Sequence, residues 1–290
     1  MVKIITGLFF LNTIFQSNME FCKILFRTEG IEKAYPQLSN DSKKILYQSN
    51  ETGKWQLLIS DLEDNNQVAI TKDNYNNNFA NWSADNEWIT FVSDRDGNEE
   101  IYMMRSNGKD MKRLTNHKGS DIHPYFSPDS RYILFNSTRG NGSYDIYRYT
   151  IKTGLTERIT NTKEDENYAR YSPDMKSIVY TKTDKKSDDL YVMNVTNKVS
   201  ENITNTPEIP DNWPTFDKNG SWIYFSSMKN GSNCIFKMKP DGSEVTQITY
   251  PLEDDEEHAR VFISQDNKTI IFNKKVGKTI EIWKYRLDPS

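Results

Sequence analysis

The chain has 290 residues and a formal net charge of −4, and aromatic residues are plentiful, with 16 Tyr, 14 Phe and 6 Trp. This acidic balance argues against nucleic acid as a partner, because such proteins normally carry a basic stripe that neutralises phosphates. Cys22 and Cys234 are too far apart in sequence to suggest a zinc site or a disulfide framework. Core volume supplied by aromatic side chains is typical of an all-β protein.

The amino terminus, residues 1–19, starts with a lysine followed by the apolar stretch "IITGLFFLNTIF" from Ile4 to Phe15. This stretch is too short to cross a bilayer, which takes about 20 residues. A basic start followed by an apolar run is typical of a signal peptide, although no A-x-A cleavage pattern follows it. The alternative is an ordinary strand or helix. We expect a signal peptide or an N-terminal extension over 1–19, no membrane insertion, and a periplasmic or secreted protein.

An internal repeat extends over residues 20–290. An Ile/Leu-Thr pair recurs at intervals of 44 or 45 residues. The threonines of these pairs are Thr71, Thr115, Thr160, Thr204 and Thr249. Self-similarity at this spacing indicates a repeat architecture in which each unit is one small sheet.

Each repeat is predicted to hold four short strands. The segments "SPDS" and "SPDM" separate the first strand from the second, with proline at the turn position that its fixed φ favours. The third strand carries an acidic, an apolar and an aromatic residue in sequence. This signature occurs at Glu100-Ile101-Tyr102, Asp145-Ile146-Tyr147, Asp189-Leu190-Tyr191 and Glu281-Ile282-Trp283. Four-stranded units of about 40–45 residues are typical of β-propeller blades.

The number of blades follows from the two ends of the chain. Five complete units lie between Tyr35 and Thr249, and a sixth stops before its fourth strand. The segment "FCKILFRT" from Phe21 to Thr28 is in phase with the other fourth strands. The sequence therefore predicts a six-bladed β-propeller of four-stranded antiparallel blades, in which the N-terminal strand closes the last blade and covers its open edge.

The stretch "SDRDGNEEIYMM" from Ser93 to Met104 gathers several carboxylates and could suggest a metal-binding loop. Its equivalents in other repeats vary in length and charge. A calcium loop needs more oxygen ligands at fixed spacing than this stretch offers. We therefore interpret Asp96-Gly97 as a hairpin turn that uses the positive φ available to glycine.

The segments "FSPDSRYILFNS", "YSPDMKSIVY" and "SDRDGNEEIYMM" resemble the TolB-type propeller repeat, a relative of the WD-type repeat. The similarity covers roughly Phe21 to Tyr285. Such repeats occur in a periplasmic scaffold protein, in peptidase gating domains and in some polysaccharide lyases. The resemblance implies an extracytoplasmic propeller used for binding, and it leaves the identity of the partner open.

A binding site is expected where loops enter the innermost strands, at the mouth of the channel. Aligning the units at the residue before Ala or Pro predicts a ring of Tyr35, Phe79, His123, Tyr168, Trp213 and His258. Two residues earlier, four consecutive blades carry the acidic residues Asp121, Glu166, Asp211 and Glu256. Two residues later, Arg170 and Arg260 stand out.

Two interpretations of these residues remain open. The aromatic side chains either contact a ligand or pack between blades, and the carboxylates either orient a ligand or are solvated. Arg170 and Arg260 either contribute to the mouth or form ion pairs between blades. The hypotheses are a protein- or peptide-binding module and, alternatively, a carbohydrate-active or sugar-binding propeller.

Chemistry favours the binding module over an enzyme. His123 and His258 lie three blades apart, whereas a zinc ion needs its nitrogen ligands within about 2.1 Å. No G-x-S-x-G nucleophile motif occurs in the sequence. A carboxylate pair such as Asp121 with Glu166 remains the one candidate for glycoside cleavage. We expect no catalytic residues, no metal and no cofactor.

Overall fold

A computed structural model describes residues 22–26, 28, 30–63, 66–184 and 187–287, and the regular structure of these residues consists of 24 β-strands. The strands form six four-stranded antiparallel sheets. In five of them the strands lie in chain order from the channel outward, and the sixth takes its outermost strand from the amino-terminal end of the described chain. The first strand of every sheet packs against the first strand of the next sheet, and the sixth packs against the first. The protein is therefore a six-bladed β-propeller, as the repeat predicts.

The strand bounds are as follows. Blades one and two contain β2 (Lys33–Leu38), β3 (Lys44–Ser49), β4 (Gln56–Asp61), β5 (Gln67–Ala69), β6 (Asn77–Trp82), β7 (Trp88–Ser93), β8 (Glu100–Arg105) and β9 (Lys112–Arg113). Blades three and four contain β10 (Asp121–Phe126), β11 (Tyr132–Ser137), β12 (Asp145–Thr150), β13 (Thr156–Arg158), β14 (Asp165–Tyr171), β15 (Ser177–Thr183), β16 (Asp188–Asn194) and β17 (Ser200–Asn202). Blades five and six contain β18 (Asp211–Phe216), β19 (Ile223–Ser227), β20 (Cys234–Met238), β21 (Thr246–Gln247), β22 (Glu256–Ile263), β23 (Thr269–Val276), β24 (Thr279–Arg286) and β1 (Cys22–Phe26).

The two ends of the described chain meet in the sixth blade. Strand β1 pairs antiparallel with β24, with Cys22 opposite Tyr285 and Ile24 opposite Trp283. The N-terminal strand thus completes the last blade, and this prediction is confirmed. The predicted signal peptide over 1–19 lies outside the described residues.

Hydrogen bonds explain why the Ile/Leu-Thr pair recurs. In blade two the Thr115 hydroxyl accepts the amide N–H of Ile101 at 2.9 Å and donates to the Glu100 carboxylate at 2.6 Å. The first of these bonds recurs in four other blades. Its partners there are Leu57 with Thr71, Ile146 with Thr160, Leu190 with Thr204 and Ile235 with Thr249. In each of these five blades, the threonine hydroxyl therefore links the segment that follows the fourth strand to the third strand.

The turns between the first and second strands owe their sequence to similar bonds. In blade three the amide of Ser130 donates to the carbonyl of Ser127 at 2.9 Å, which closes a β-turn with Pro128 at its second position. The Ser127 hydroxyl also donates to Asp129 at 2.6 Å. Gly97 likewise has a φ of 98°, and its amide donates to Asp94, so the Asp96-Gly97 stretch is a turn as predicted.

The hydrophobic core lies between neighbouring blades rather than at one centre. Leu46 and Leu57 of blade one, for example, share a cluster with Trp82, Ile89 and Phe91 of blade two. All five side chains are at most 6% exposed. Face-to-face packing of this kind leaves the inner strands free to line a common channel.

Candidate functional site

Each inner strand carries a β-bulge that alters its pairing with the second strand of the blade. The first residue of every bulge has a left-handed φ between 52° and 58°. These residues are Tyr35, Phe79, His123, Tyr168, Trp213 and Arg260. Such a backbone is costly for a residue with a Cβ and persists only where the surroundings hold it in place.

Polar side chains of the preceding blade hold four of these bulges. The amide N–H of each bulged residue donates to a side-chain oxygen on the neighbouring second strand. The pairs are Tyr35 with Asn273 (3.1 Å), Phe79 with Gln48 (3.0 Å), Tyr168 with Asn136 (3.2 Å) and Arg260 with Ser226 (3.2 Å). The Asn273 bond joins the sixth blade to the first.

The six bulged side chains contact one another in a closed circle, which we call the channel ring. The ring centroids are separated by 4.6 Å (Tyr35–Phe79), 4.5 Å (Phe79–His123), 4.3 Å (His123–Tyr168) and 5.7 Å (Tyr168–Trp213). The Arg260 guanidinium carbon lies 4.9 Å from the Trp213 ring and 3.9 Å from the Tyr35 ring. The cavity among these side chains is only about 50 Å³.

The sixth position of the channel ring differs from the sequence alignment. Arg260 occupies it, whereas the expected residue, His258, lies two positions earlier on β22. The alignment relied on the alanine after His258, but the bulge falls after Ala259. The other five expected members do form the ring. Arg260 makes no ion pair between described residues and instead contacts two aromatic faces.

A layer of buried polar side chains lies two residues before the channel ring, and we call it the entry layer. Its members are Lys33, Asn77, Asp121, Glu166, Asp211 and His258, each at most 5% exposed. Glu256 precedes this layer and is 2% exposed. The four predicted carboxylates therefore contact protein groups and are neither solvated nor part of an open rim.

Three of these carboxylates have clear partners. Asp121 forms an ion pair with Arg139, although burial raises the pKa of Asp121. Asp211 accepts the Thr206 hydroxyl at 2.6 Å, and burial raises its pKa as well. Burial alone would also raise the pKa of Glu256. Hydrogen bonds from His258 (2.7 Å) and Lys274 (2.8 Å) outweigh it and lower that pKa to about 2.

Glu166 differs from the other three. It is 1% exposed, and its Oε2 atom has no hydrogen-bond partner among the described residues. Burial, assisted by the charge of Asp145, raises the pKa of Glu166 to about 7. Lys182 opposes this rise only in part, and its ammonium forms an ion pair with Glu164 at 3.2 Å. This carboxyl is therefore protonated for much of the time near neutral pH.

A second cavity on the channel axis lies at the opposite end, where the inner strands finish, and we call it the exit cavity. Its volume is about 400 Å³, and all six blades contribute to its wall. Aromatic side chains line much of it, among them Trp82, Tyr125 and Phe262, and Asn81 and Thr215 add polar groups. The sequence predicted a binding site at the entry end, and this cavity lies at the other end.

Hydrogen bonds between neighbouring turns surround the rim of the exit cavity. Four turns donate a backbone amide to a side chain in the next turn. The pairs are Asn40 with Asn86, Ala84 with Ser130, Lys218 with Asn267 and Gln265 with Ser42. The equivalent donor positions in blades three and four are Pro128 and Pro173, which have no N–H to donate. This amide bond is therefore missing between the turns of blades three and four and between those of blades four and five.

Sequence reasoning singled out Arg170 but missed Lys218, which also lines the exit cavity. It also missed the bulge anchors Asn136 and Asn273. A sequence signal existed for these anchors, because each is a polar residue inside a buried, β-rich strand. No comparable signal marks Lys218, which follows a turn as many solvated lysines do.

In the part of the chain that the structure describes, no group of three or more His, Cys, Asp or Glu side chains is placed to hold a metal ion. No helix among these residues is long and apolar enough to span a membrane.

A family model described as the TolB beta propeller domain matches residues 33–189 and 169–290. The chain belongs to the TolB β-propeller family. Among curated TolB relatives, the Tol-Pal system protein TolB of Bordetella pertussis is 31% identical over 208 residues, which is 71% of this chain and 47% of the relative. A TolB homolog of Chlorobium luteolum is 26% identical over 54% of this chain and 38% of its own length.

Solved TolB structures share this propeller. TolB of Acinetobacter baumannii superposes with a TM-score of 0.64 at 26% identity, covering 72% of this chain and 52% of that chain. An oligogalacturonate lyase in complex with manganese has a TM-score of 0.66 at 13% identity, covering 92% of this chain and 93% of that chain, so that likeness shows the fold alone. The chain spans about half, or less, of the TolB proteins of Bordetella, Chlorobium and Acinetobacter.

Proposed function

We propose that this TolB-type propeller is a non-enzymatic binding module that works outside the cytoplasm and captures a protein or peptide at the mouth of its channel. The observation that carries the proposal is the exit cavity. It has a volume of about 400 Å³, an aromatic and polar wall from six blades, and the channel ring as its floor. Concave sites of this size and lining are typical of ligand-binding pockets.

The carboxylates favour binding over catalysis. A glycoside-cleaving pair needs one carboxyl free to protonate a bound sugar and a second free to attack or activate water. Asp121 is ion-paired with Arg139, and Glu166 is 1% exposed in the entry layer. Neither residue lines the exit cavity.

Two observations support a partner outside the cytoplasm. The apolar stretch at the amino terminus has the composition of a signal peptide. A relative that covers most of this chain carries the name Tol-Pal system protein. Fractionation of cells that produce the tagged protein tests the location, and recovery of the protein with cytoplasmic markers alone would contradict it.

A single bulky substitution tests the capture site. Ala84 is exposed on the rim, and its amide bond to Ser130 does not involve its side chain. In Ala84→Trp the indole should obstruct the exit cavity, and we expect the proteins that co-purify with the wild type to be lost. Lys152→Trp, at an exposed turn on the outer side of blade three, is the matched control. Equal recovery of partners with both variants would place the capture site elsewhere.

A further inference from the structure

The exit cavity carries an excess of positive charge. Its lining contains three residues that are charged at neutral pH, namely Arg170, Lys218 and Asp217. Asp217 is already engaged, because its Oδ1 atom accepts the amides of Ser221 and Trp222 at 2.7 and 3.1 Å. The wall therefore has a net charge of about +1, and neither cation forms an ion pair with a described residue.

Arg170 is the deeper cation. Its guanidinium carbon lies 4.6 Å from the centre of the Tyr125 ring. Its Nη1 atom is buried and has no hydrogen-bond partner, and no described carboxylate forms an ion pair with this arginine. A buried guanidinium N–H without an acceptor is costly, and a ligand that supplies an oxygen would remove that cost.

Lys218 approaches the same cavity from blade five. Its ammonium lies 4.9 Å from the Phe262 ring and makes no ion pair with a described residue. Burial, assisted by the positive charge of Arg170, lowers the pKa of Lys218 to about 8. The two cations thus repel one another, and neither forms an ion pair with Asp217, the one carboxylate in the cavity wall.

The geometry points to the exit cavity as the receptor for one carboxylate of an acidic peptide segment, with Arg170 binding the carboxylate oxygens and Lys218 supplying the second positive charge. This inference rests on the proposed peptide-binding function and names the chemistry of the ligand. Arginine pairs with carboxylates through two parallel hydrogen bonds, which suits a flat anion against an aromatic wall.

Charge balance favours a carboxylate over a phosphate. A monoanion matches the net charge of about +1, whereas a phosphate near neutral pH carries between about −1.5 and −2. The aromatic wall favours apolar residues on either side of the acidic residue. The interruption of the rim at Pro128 and Pro173 lies next to Arg170 and gives an extended chain a place to enter.

Isothermal titration calorimetry with purified full-length protein tests the inference. The probe is an acetylated and amidated pentapeptide, Gly-Phe-Glu-Phe-Gly, and its matched partner carries glutamine in place of glutamate. We expect the glutamate peptide to bind about tenfold or more tightly than the glutamine peptide. Arg170→Gln and Lys218→Gln should each abolish most of that difference. Arg105→Gln, a surface arginine paired with Glu87, should leave it unchanged.

Other ligands separate the possible sources of the anion. Inorganic phosphate or galacturonic acid binding more tightly than the glutamate peptide would overturn the assignment. Equal binding of the two peptides to the wild type would also overturn it, provided that circular dichroism shows folded protein. If Ala84→Trp still blocks capture in that case, the proposed function stands and only the inference about charge fails.

Discussion

The guanidinium carbon of Arg260 lies 3.9 Å from the centre of the Tyr35 ring, so the last inner strand contacts the first through a cation–π interaction. The same guanidinium lies 4.9 Å from Trp213. Arg260 therefore completes the channel ring at the point where the circle of blades is closed. At the periphery of the same blade, strand β1 performs the equivalent closure.

Removing this side chain should destabilise the propeller. Arg260→Ala loses two cation–π contacts and leaves a gap between two large rings, and we expect the free energy of unfolding to fall by about 2 kcal/mol. Urea unfolding followed by tryptophan fluorescence measures the change. Arg131→Ala is the control, because its side chain is 70% exposed and its pair with Asp129 lies on the surface. Similar losses for both variants would show that the ring contact contributes little.

His123 should make the protein sensitive to acid. Burial, with the charges of Arg260 and Arg170, lowers the pKa of His123 from 6.5 to about 3. Below pH 6.5 the unfolded chain takes up a proton that the folded protein refuses, so stability falls as the pH falls. The loss at pH 4.5 should be about 2–3 kcal/mol relative to pH 7.5.

His123→Phe tests this, because Phe79 shows that a phenyl ring fits an equivalent position. We expect its unfolding midpoint in urea to vary less than that of the wild type between pH 7.5 and pH 4.5. His117→Gln changes an exposed histidine and should behave as the wild type does. An acid sensitivity retained in full by His123→Phe would contradict the assignment.

Glu166 should have the opposite pH dependence. Its folded pKa of about 7 exceeds its ordinary value of 4.5, so the folded protein holds the proton more tightly than the unfolded chain does. The favourable contribution is complete below pH 4.5 and is lost as the pH rises through about 7. Glu166→Gln should therefore stabilise the protein by about 2 kcal/mol at pH 8 and by much less at pH 4.5.

The matched variant lies at the equivalent position one blade earlier. Asp121→Asn also removes a buried carboxylate whose pKa is raised by burial, but it leaves Arg139 without its ion-pair partner. We therefore expect it to stabilise the protein at pH 8 by clearly less than Glu166→Gln does. Thermal unfolding of both variants at the two pH values measures the contrast. Equal stabilisation by the two variants at pH 8 would show that the ion pair with Arg139 contributes nothing.

Burial of the Lys218 ammonium should lower the stability of the protein near neutral pH. Because its folded pKa is about 8, below the ordinary 10.5, the unfolded chain binds the proton more tightly between these values. The penalty is complete below pH 8 and disappears as the pH approaches 10.5. We expect Lys218→Met to stabilise the protein by about 2 kcal/mol at pH 7 and by much less at pH 10.

Chemical unfolding of the wild type and of this variant at both pH values isolates the contribution, because all other ionisable groups are common to the two proteins. Lys239→Met changes a cation that lies over Trp222 outside the exit cavity and provides the comparison. A stabilisation that is independent of pH would show that the charge of Lys218 is not its cause.

Most of the fold could be predicted because each repeat signature joins residues that are close in the sequence. The Thr115 hydroxyl bonds to Ile101 and the Ser127 hydroxyl bonds to Asp129, so the spacing within each pair is visible in the sequence. The position of the sixth ring residue was also encoded. Arg260 lies four residues before Ser264, as Tyr35 lies four before Ser39. The turn serine was thus a better anchor for alignment than the following alanine.

The site was less predictable, because it depends on which end of the channel is open. In the sequence Asp121 and Glu166 resemble loop carboxylates, yet both lie in inner strands and are at most 1% exposed. The excess charge at the exit cavity joins Arg170 and Lys218, which belong to different blades. Only the curvature of the whole ring brings such residues together.

The pairing of β1 with β24 also constrains how the protein is made. These strands stand at opposite ends of the described chain, so the contact between them has nearly the largest sequence separation that the chain permits. Long-range strand pairing is slow, because the intervening loop must first be closed. A ribosome that has not yet released Tyr285 therefore holds an unfinished circle with an exposed sheet edge. During that interval the exposed edge can pair with another chain, so correct folding requires that such association be prevented.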